Sequence, residues 1–179
     1  TPFAAYTLGR LTRLSVWLLK LGVMPELIEP GKPQQNGRHE RMHRTLKDGT
    51  THPPGANLRA QQRKFNLFIR EFNDERPHEA LDMKTPAEVY QSSPRPMPTR
   101  LLAPTYPDRF EVRYVSANGG IRWKNSWVNV TSALIGEYVG LEEIDEGIWE
   151  VYFGSKWLGR LHERLMRIED CYGMTRRHV

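Results

Sequence analysis

The sequence predicts an α+β protein in which a mainly helical first half precedes a small β-domain. Apolar residues recur at three- and four-residue spacing in the first half. Five prolines fall within residues 92–107, which indicates a stiff, extended linker. Beyond the linker, short β-branched and aromatic runs alternate with turn residues. The predicted organisation is a helical part over 1–91, the linker, a β-domain over 108–170 and a tail over 171–179.

Four helices are predicted in the first half, and each has a local reason. Gly22 ends the first helix as a C-terminal stop, and Thr85 and Pro86 begin the last as cap and first helical residue. One apolar stripe runs along the third helix and comprises Phe65, Phe68, Ile69 and Phe72. The predicted helices span residues 6–21, 38–47, 58–73 and 85–91.

Strands are predicted wherever short apolar runs lie between Gly and Pro residues. One such run precedes the second helix, although Pro25 makes it an imperfect strand. The runs after the linker, with turn signals between them, indicate a small barrel or sandwich. The predicted strands span residues 23–29, 109–115, 120–130, 137–144, 148–154 and 156–162.

Composition and charge narrow the class of protein. With 39% apolar and 26% charged residues the chain is an ordinary globular sequence, and its apolar runs are too short to span a bilayer. We see no secretion signal, and the single Cys171 cannot form an internal disulfide, which suits an intracellular protein. Residues 1–100 carry 16 Lys and Arg against 10 Asp and Glu, whereas residues 101–179 carry 10 against 11. The basic first half favours a polyanion such as DNA, and a merely solvated basic surface explains it equally well.

One face of the second helix gathers an acid and two cations. At 100° per residue, Arg44 and Lys47 lie within about 40° of Glu40. A carboxylate facing water beside cations fits a site for a hard metal ion and a phosphate group. The alternative is a simple ion pair between Glu40 and Arg44, four residues apart, and geometry alone favours that alternative.

Two segments resemble the DDE insertion-sequence transposases and retroviral-type integrases. PGKPQQNGRHERMHRTLK (30–47) is similar to the family segment that bears its third catalytic acid. FNDERPHEALDMKTPAEVY (72–90) is similar to the segment that closes the catalytic core, and the two occur in family order. The opening TPFA also looks like the residues that follow the family's Asp-Asn-Gly motif.

The resemblance implies a fold and a set of roles. The first half would be the remnant of a truncated RNase H-like core, and the β-domain would be a small SH3-like barrel. In the family two aspartates and a glutamate hold two Mg²⁺ or Mn²⁺ ions, so Glu40 would be the catalytic residue and metal ligand. The residues implied to contact DNA are Arg41, Arg44, Lys47, Arg113, Arg122 and Lys124. Those implied to pack the core are Asn73, Arg76, Pro77 and His78, and we expect a structural hydrogen bond for His78.

The sequence departs from the family pattern because no aspartate precedes Glu40; the first is Asp48. We therefore expect this chain, which opens on Thr1 rather than Met, to be a fragment without strand-transfer activity or bound metal of its own. The apolar stripes of the first half would lose their normal cover, so they would pack between molecules, dock on the β-domain or stay partly loose. The expected partners are double-stranded DNA, as transposon ends and target, and further copies of the chain, with no membrane. The expected location is the bacterial cytoplasm, at the nucleoid.

Two other functions remain open. His39-Glu40-Arg41-Met42-His43 is also an H-E-x-x-H sequence of the kind that zinc peptidases use, although its helix is basic and polar. The β-domain would serve as a module for protein interaction or self-association if its tryptophans are mostly core residues. Its acidic run, 142–146, argues against a uniformly DNA-binding surface.

Overall fold

The structure is a computed structural model that describes residues 7–29 and 31–173. The chain divides into two compact units. One contains the described residues up to Leu27 together with those from Met97 onward, and the other is Ile28–Pro96. The opening TPFA and the tail from residue 174 lie outside the described residues.

The first unit is built on an antiparallel sheet. Its strands are β1 (Glu111–Tyr114), β2 (Gly120–Trp123), β3 (Ser126–Asn129), β4 (Tyr138–Asp145), β5 (Ile148–Phe153), β6 (Lys156–His162) and β7 (Arg167–Asp170). Five of them pair in the order β1-β4-β5-β6-β7, and β2 pairs with β3 as a hairpin. The side chains buried between them are Val115, Ile121, Trp123, Val128, Val130, Leu134, Val139, Leu141, Val151, Phe153, Leu158 and Leu161.

The sheet corrects two predictions. The predicted strand 120–130 is wrong as one element, because the chain turns at Lys124, whose φ is +49°. Strand β7 was not predicted because its sequence, RIED, is mostly charged and has no apolar run. The α+β class is confirmed, whereas the described strands do not pair into a closed barrel. Instead the hairpin lies with β2 beside β1 and β3 beside β7.

The N-terminal helix is shorter than predicted. Helix α1 spans Arg13–Lys20, and the preceding Leu8–Arg10 is a separate 3₁₀ turn with positive φ at Gly9 and Arg10. The predicted start at residue 6 is therefore wrong, because Thr12 caps the helix through a reciprocal hydrogen-bond pair with Ser15. The predicted stop at Gly22 is correct: its φ is +71°, and its N–H donates to the Leu19 carbonyl.

The N-terminal segment docks on the β-domain, one of the three expected outcomes for its apolar stripe. Leu8, Leu11 and Val16 enter the same core as the strands. Lys20 Nζ lies 2.7 Å from Glu137 Oε1, and the Gly9 N–H donates to Asp170 Oδ2 over 2.8 Å. The strand predicted at 23–29 is wrong: the segment forms no described strand, because no other strand lies beside it to pair its backbone groups.

Part of the predicted linker is packed on the sheet. The Tyr106 hydroxyl donates to the carbonyl of Tyr138 and accepts from the N–H of Gly154. Its ring lies over Gly140, where an added Cβ would come within 2.3 Å of Tyr106 Cδ1. The chain from Tyr106 onward therefore belongs to the β-domain, where it packs across β4 and β5.

The second unit consists of helices. They are α2 (Gly37–Thr51), α3 (Leu58–Arg70) and α4 (Pro86–Val89), and a widened turn, Glu71–Glu75, follows α3. Helix α2 ends at Thr51, four residues after its predicted end at residue 47. Helix α3 ends at Arg70, three residues before its predicted end at residue 73. The prediction for α4 is confirmed at its start, where Thr85 caps the helix in a reciprocal pair with Glu88 and Pro86 is the first helical residue.

Helices α2 and α3 are joined by a hydrogen bond and by the half-buried Phe68 ring, which lies against Gly49, and no fully buried apolar core lies between them in the described residues. Thr50 is the one buried residue among the described residues of this unit, and its carbonyl accepts from the Gln61 side chain over 3.1 Å. In the predicted stripe, Phe65, Phe68 and Phe72 are half-buried and Ile69 is 51% exposed. The stripe is real, but it is only partly covered.

Glu163 joins the hairpin to the main sheet. Its Oε1 accepts the indole N–H of both Trp123 and Trp149 over 3.0 Å, and its Oε2 lies 2.5 Å from Lys124 Nζ. The Lys124 ammonium, followed by the indole groups, holds the pKa of Glu163 below its usual range. The carboxylate is only 15% exposed, whereas the Lys124 side chain is 62% exposed, so the contacts with the two indole groups are shielded from water and the ion pair is open to it.

We expect Glu163→Ala to lower the free energy of unfolding by about 2–3 kcal/mol, because two indole N–H groups lose their acceptor. Urea unfolding measures this free energy. The matched control is Glu169→Ala, which removes an exposed carboxylate. Because the pKa of Glu163 is lower in the folded protein, its ionised carboxylate stabilises the fold at pH values above its pKa in the unfolded chain, about 4.3. That stabilisation is lost as the pH falls through the pKa of Glu163 in the folded protein. The difference between wild type and Glu163→Ala should therefore shrink below pH 4. A difference that is constant across this range would contradict the prediction.

Candidate functional site

Glu40 stands in the first turn of α2, after a 3₁₀ turn formed by Pro33–Asn36. Its side chain is exposed and makes no hydrogen bond or ion pair with any described residue. The Glu40–Arg44 ion pair, the simpler alternative at this position, is therefore not formed among the described residues. An exposed, unpaired carboxylate remains free to meet a ligand.

An open groove follows this face of α2 and continues past its end. The groove is lined by His39, Glu40, His43, Arg44, Lys47, Asp48 and His52. The structure therefore brings together the three residues that the helical angle predicted, Glu40, Arg44 and Lys47. The prediction from the helical angle did not include Asp48 or His52 in this site. Helical periodicity could have identified Asp48, because it lies eight residues after Glu40 and so on the same side of the helix. It could not have identified His52, which lies beyond the last helical turn, where periodicity carries no information.

The cations of α2 differ from those of the β-domain. Arg38, Arg41, Arg44 and Lys47 are exposed, and their side chains have no partner among the described residues. In the β-domain, by contrast, Arg113 pairs with Glu111 at 2.7 Å, and Lys124 pairs with Glu163. Since a paired cation must give up its partner to bind a phosphate, the candidate cations of α2 are more readily available for binding than Arg113 and Lys124.

Arg122 differs from the other two candidate DNA-contacting residues of the β-domain, Arg113 and Lys124. It is exposed, has no ion-pair partner among the described residues, and stands directly across the hairpin from Trp127. Trp127 is 44% exposed, whereas Trp123 is buried and Trp149 and Trp157 are half-buried. Three of these four tryptophans therefore serve the core, and Trp127 faces outward beside the Arg122 guanidinium group.

The segment after α3 surrounds His78. The His78 ring is half-buried, lies 3.2 Å from the Phe72 carbonyl through Nε2, and meets the Phe72 ring edge-on at 4.6 Å. Arg76 and Pro77 are exposed, Asn73 is half-buried, and the Arg76 N–H closes the widened turn on the Glu71 carbonyl. This geometry fits the structural role predicted for His78 and does not bring it into the Glu40 groove.

The acids of the groove do not make a two-metal site. No cluster of three or more His, Cys, Asp or Glu side chains that could hold a metal occurs in residues 7–29 and 31–173. Mg²⁺ and Mn²⁺ sites need several oxygen ligands, and a peptidase zinc site needs three protein ligands. Neither set is complete in the described part of this chain, so no catalytic step follows from Glu40 alone.

Together the two units define an α+β protein that presents two acids, Glu40 and Asp48, beside unpaired cations on an exposed helix. Residues 21–86 match the family model described as "Integrase core domain". The resemblance to a DDE-type transposase or integrase is confirmed over those residues, which include Glu40 and the segment around His78. That family acts in DNA recombination and generally uses Mg²⁺ or Mn²⁺. No helix within the described ranges is long and apolar enough to cross a membrane.

Proposed function

We propose that this chain is the DNA-binding, distal part of a DDE-type transposase or integrase. The observation that carries the proposal is the run of unpaired cations beside Glu40 on α2, within the matched integrase core segment. Arg41, Arg44 and Lys47 would contact the phosphates of double-stranded DNA, and Glu40 would be the family's third metal ligand. The two aspartates that complete the metal site would come from residues outside this chain.

The β-domain supplies a second, weaker DNA contact in this proposal. Arg122 and Trp127 side by side offer a phosphate partner and an aromatic surface. Arg113 and Lys124 remain candidates, but each must first release a carboxylate. The position of the hairpin beside both β1 and β7 supports an SH3-like arrangement for this domain.

Self-association belongs to the same proposal. Helix α3 exposes Leu67 and Ile69 at 63% and 51%, and such side chains favour burial against a second copy of the chain. A homo-oligomer bound to DNA at the nucleoid of the bacterial cytoplasm would suit a protein of this family.

Arg44→Gln and Lys47→Gln test the DNA contact in the chain as it exists. Each is expected to reduce the slope of log affinity against log salt by about 0.9 and to weaken duplex binding about five-fold at 0.15 M salt. Fluorescence anisotropy with labelled duplex DNA over a salt series measures both quantities.

Arg109→Gln is the matched control, because it removes the same charge from an arginine that is paired with Glu142 at 2.5 Å. Its slope should equal that of the wild type. Equal losses in all three variants would mean that only net charge attracts DNA, and the proposed contact on α2 would be wrong.

A further inference from the structure

His39 and His43 stand side by side on the exposed face of α2. Their ring centroids are 4.2 Å apart, with an angle of 47° between the ring planes. Both residues are exposed, and neither ring forms a hydrogen bond or ion pair with a described residue. Two imidazole groups are thus held together with their ring nitrogens available.

Imidazole nitrogen is a favoured ligand of borderline transition cations such as Zn²⁺ and Ni²⁺, whereas Mg²⁺ prefers oxygen. Residues four apart on a helix lie one above the other, so a single cation can bridge them. Zn–N bonds of about 2.0–2.1 Å need the two nitrogens to converge. The rings now face each other, and because both side chains are exposed they can rotate to meet a cation.

The charges near the two rings are mixed. Glu40 and Asp48 line the same groove as Arg44 and Lys47, and Arg38 and Arg41 stand on the same helix, so a cation would be held by the imidazole nitrogens and not by net charge. Because a third protein ligand is lacking among the described residues, water would complete the coordination sphere. Such a site differs from a peptidase zinc centre, which has three protein ligands.

We propose that His39 and His43 form a two-imidazole chelate for a divalent transition cation of the Zn²⁺ class. The site is separate from the role proposed for Glu40, since it uses nitrogen ligands and selects a different class of metal. It depends neither on DNA binding nor on the missing aspartates.

Isothermal titration of the full chain with ZnCl₂ and with NiCl₂ tests the site. The wild type should bind one equivalent of the cation. The affinity should fall about 100-fold in His39→Gln and in His43→Gln, because a chelate gains from its second ligand. His52→Gln should bind as the wild type does. Far-UV circular dichroism of each variant checks that the helices remain.

Three outcomes would overturn the proposal: no saturable binding by the wild type, affinity unchanged in both His39→Gln and His43→Gln, or an equal loss in His52→Gln. The readout needs no DNA. A failure here would leave the proposed function standing, and a failure of DNA binding would leave the metal site standing.

Discussion

Glu40→Gln is expected to abolish metal-dependent DNA cleavage, by at least about 100-fold, in a longer protein where two upstream aspartates complete the acidic set. Replacing a residue that only supports a metal ligand lowers metal affinity or activity about 10- to 100-fold, and Glu40 would be a ligand itself. Nicking of a labelled transposon-end duplex in Mg²⁺ or Mn²⁺ measures the loss. In the present chain the same change should instead strengthen duplex binding, on the order of two-fold, because a negative charge leaves the cationic groove.

Asp48→Asn separates a metal ligand from a nearby charge. It removes the same charge from the same groove, so it should also strengthen duplex binding slightly. In the longer protein it should leave cleavage intact, because the resemblance implies Glu40, and not Asp48, as the third acid. Cleavage that survives in Glu40→Gln would remove Glu40 from the mechanism.

The second large effect concerns stability: Gly159→Ala should destabilise the β-domain by about 3–5 kcal/mol. Gly159 lies in β6 opposite Asp170 of β7, with φ at +150°. An added Cβ would lie 2.0 Å from the Glu169 carbonyl oxygen, so the β6–β7 pairing must open. Strain from the backbone conformation and from overpacking each cost about 1–3 kcal/mol.

Urea unfolding followed by tryptophan fluorescence measures that loss. Gly136→Ala is the matched control: its φ is +86°, but nothing lies within 4 Å of an added Cβ. It should cost only about 1 kcal/mol, from the left-handed backbone alone. Equal, small losses in both variants would mean that the strands can shift to admit the methyl group.

Local signals were correct where the neighbouring residues were sufficient to decide the structure. The cap at Thr85, the stop at Gly22 and the shared face of Glu40 and Lys47 all depend on residues within two helical turns. Segment 23–29 failed because a strand needs a partner, and its apolar alternation says nothing about whether one is present. Strand β7 was missed for the opposite reason, since its pairing with β6 is supplied by the fold and not by its own sequence.

The candidate site follows the same division. Composition, periodicity and two family-like segments determined the α+β class, the acid at position 40 and the cations around it, because helical geometry repeats every 3.6 residues. Arg113 pairs with Glu111 two residues away on the same strand, so that contact is local. The pairing of Lys124 was decided only by the tertiary structure. Strand packing brings Glu163 to Lys124 across 39 residues of chain, and a contact of that kind depends on distances across the fold that no local pattern encodes.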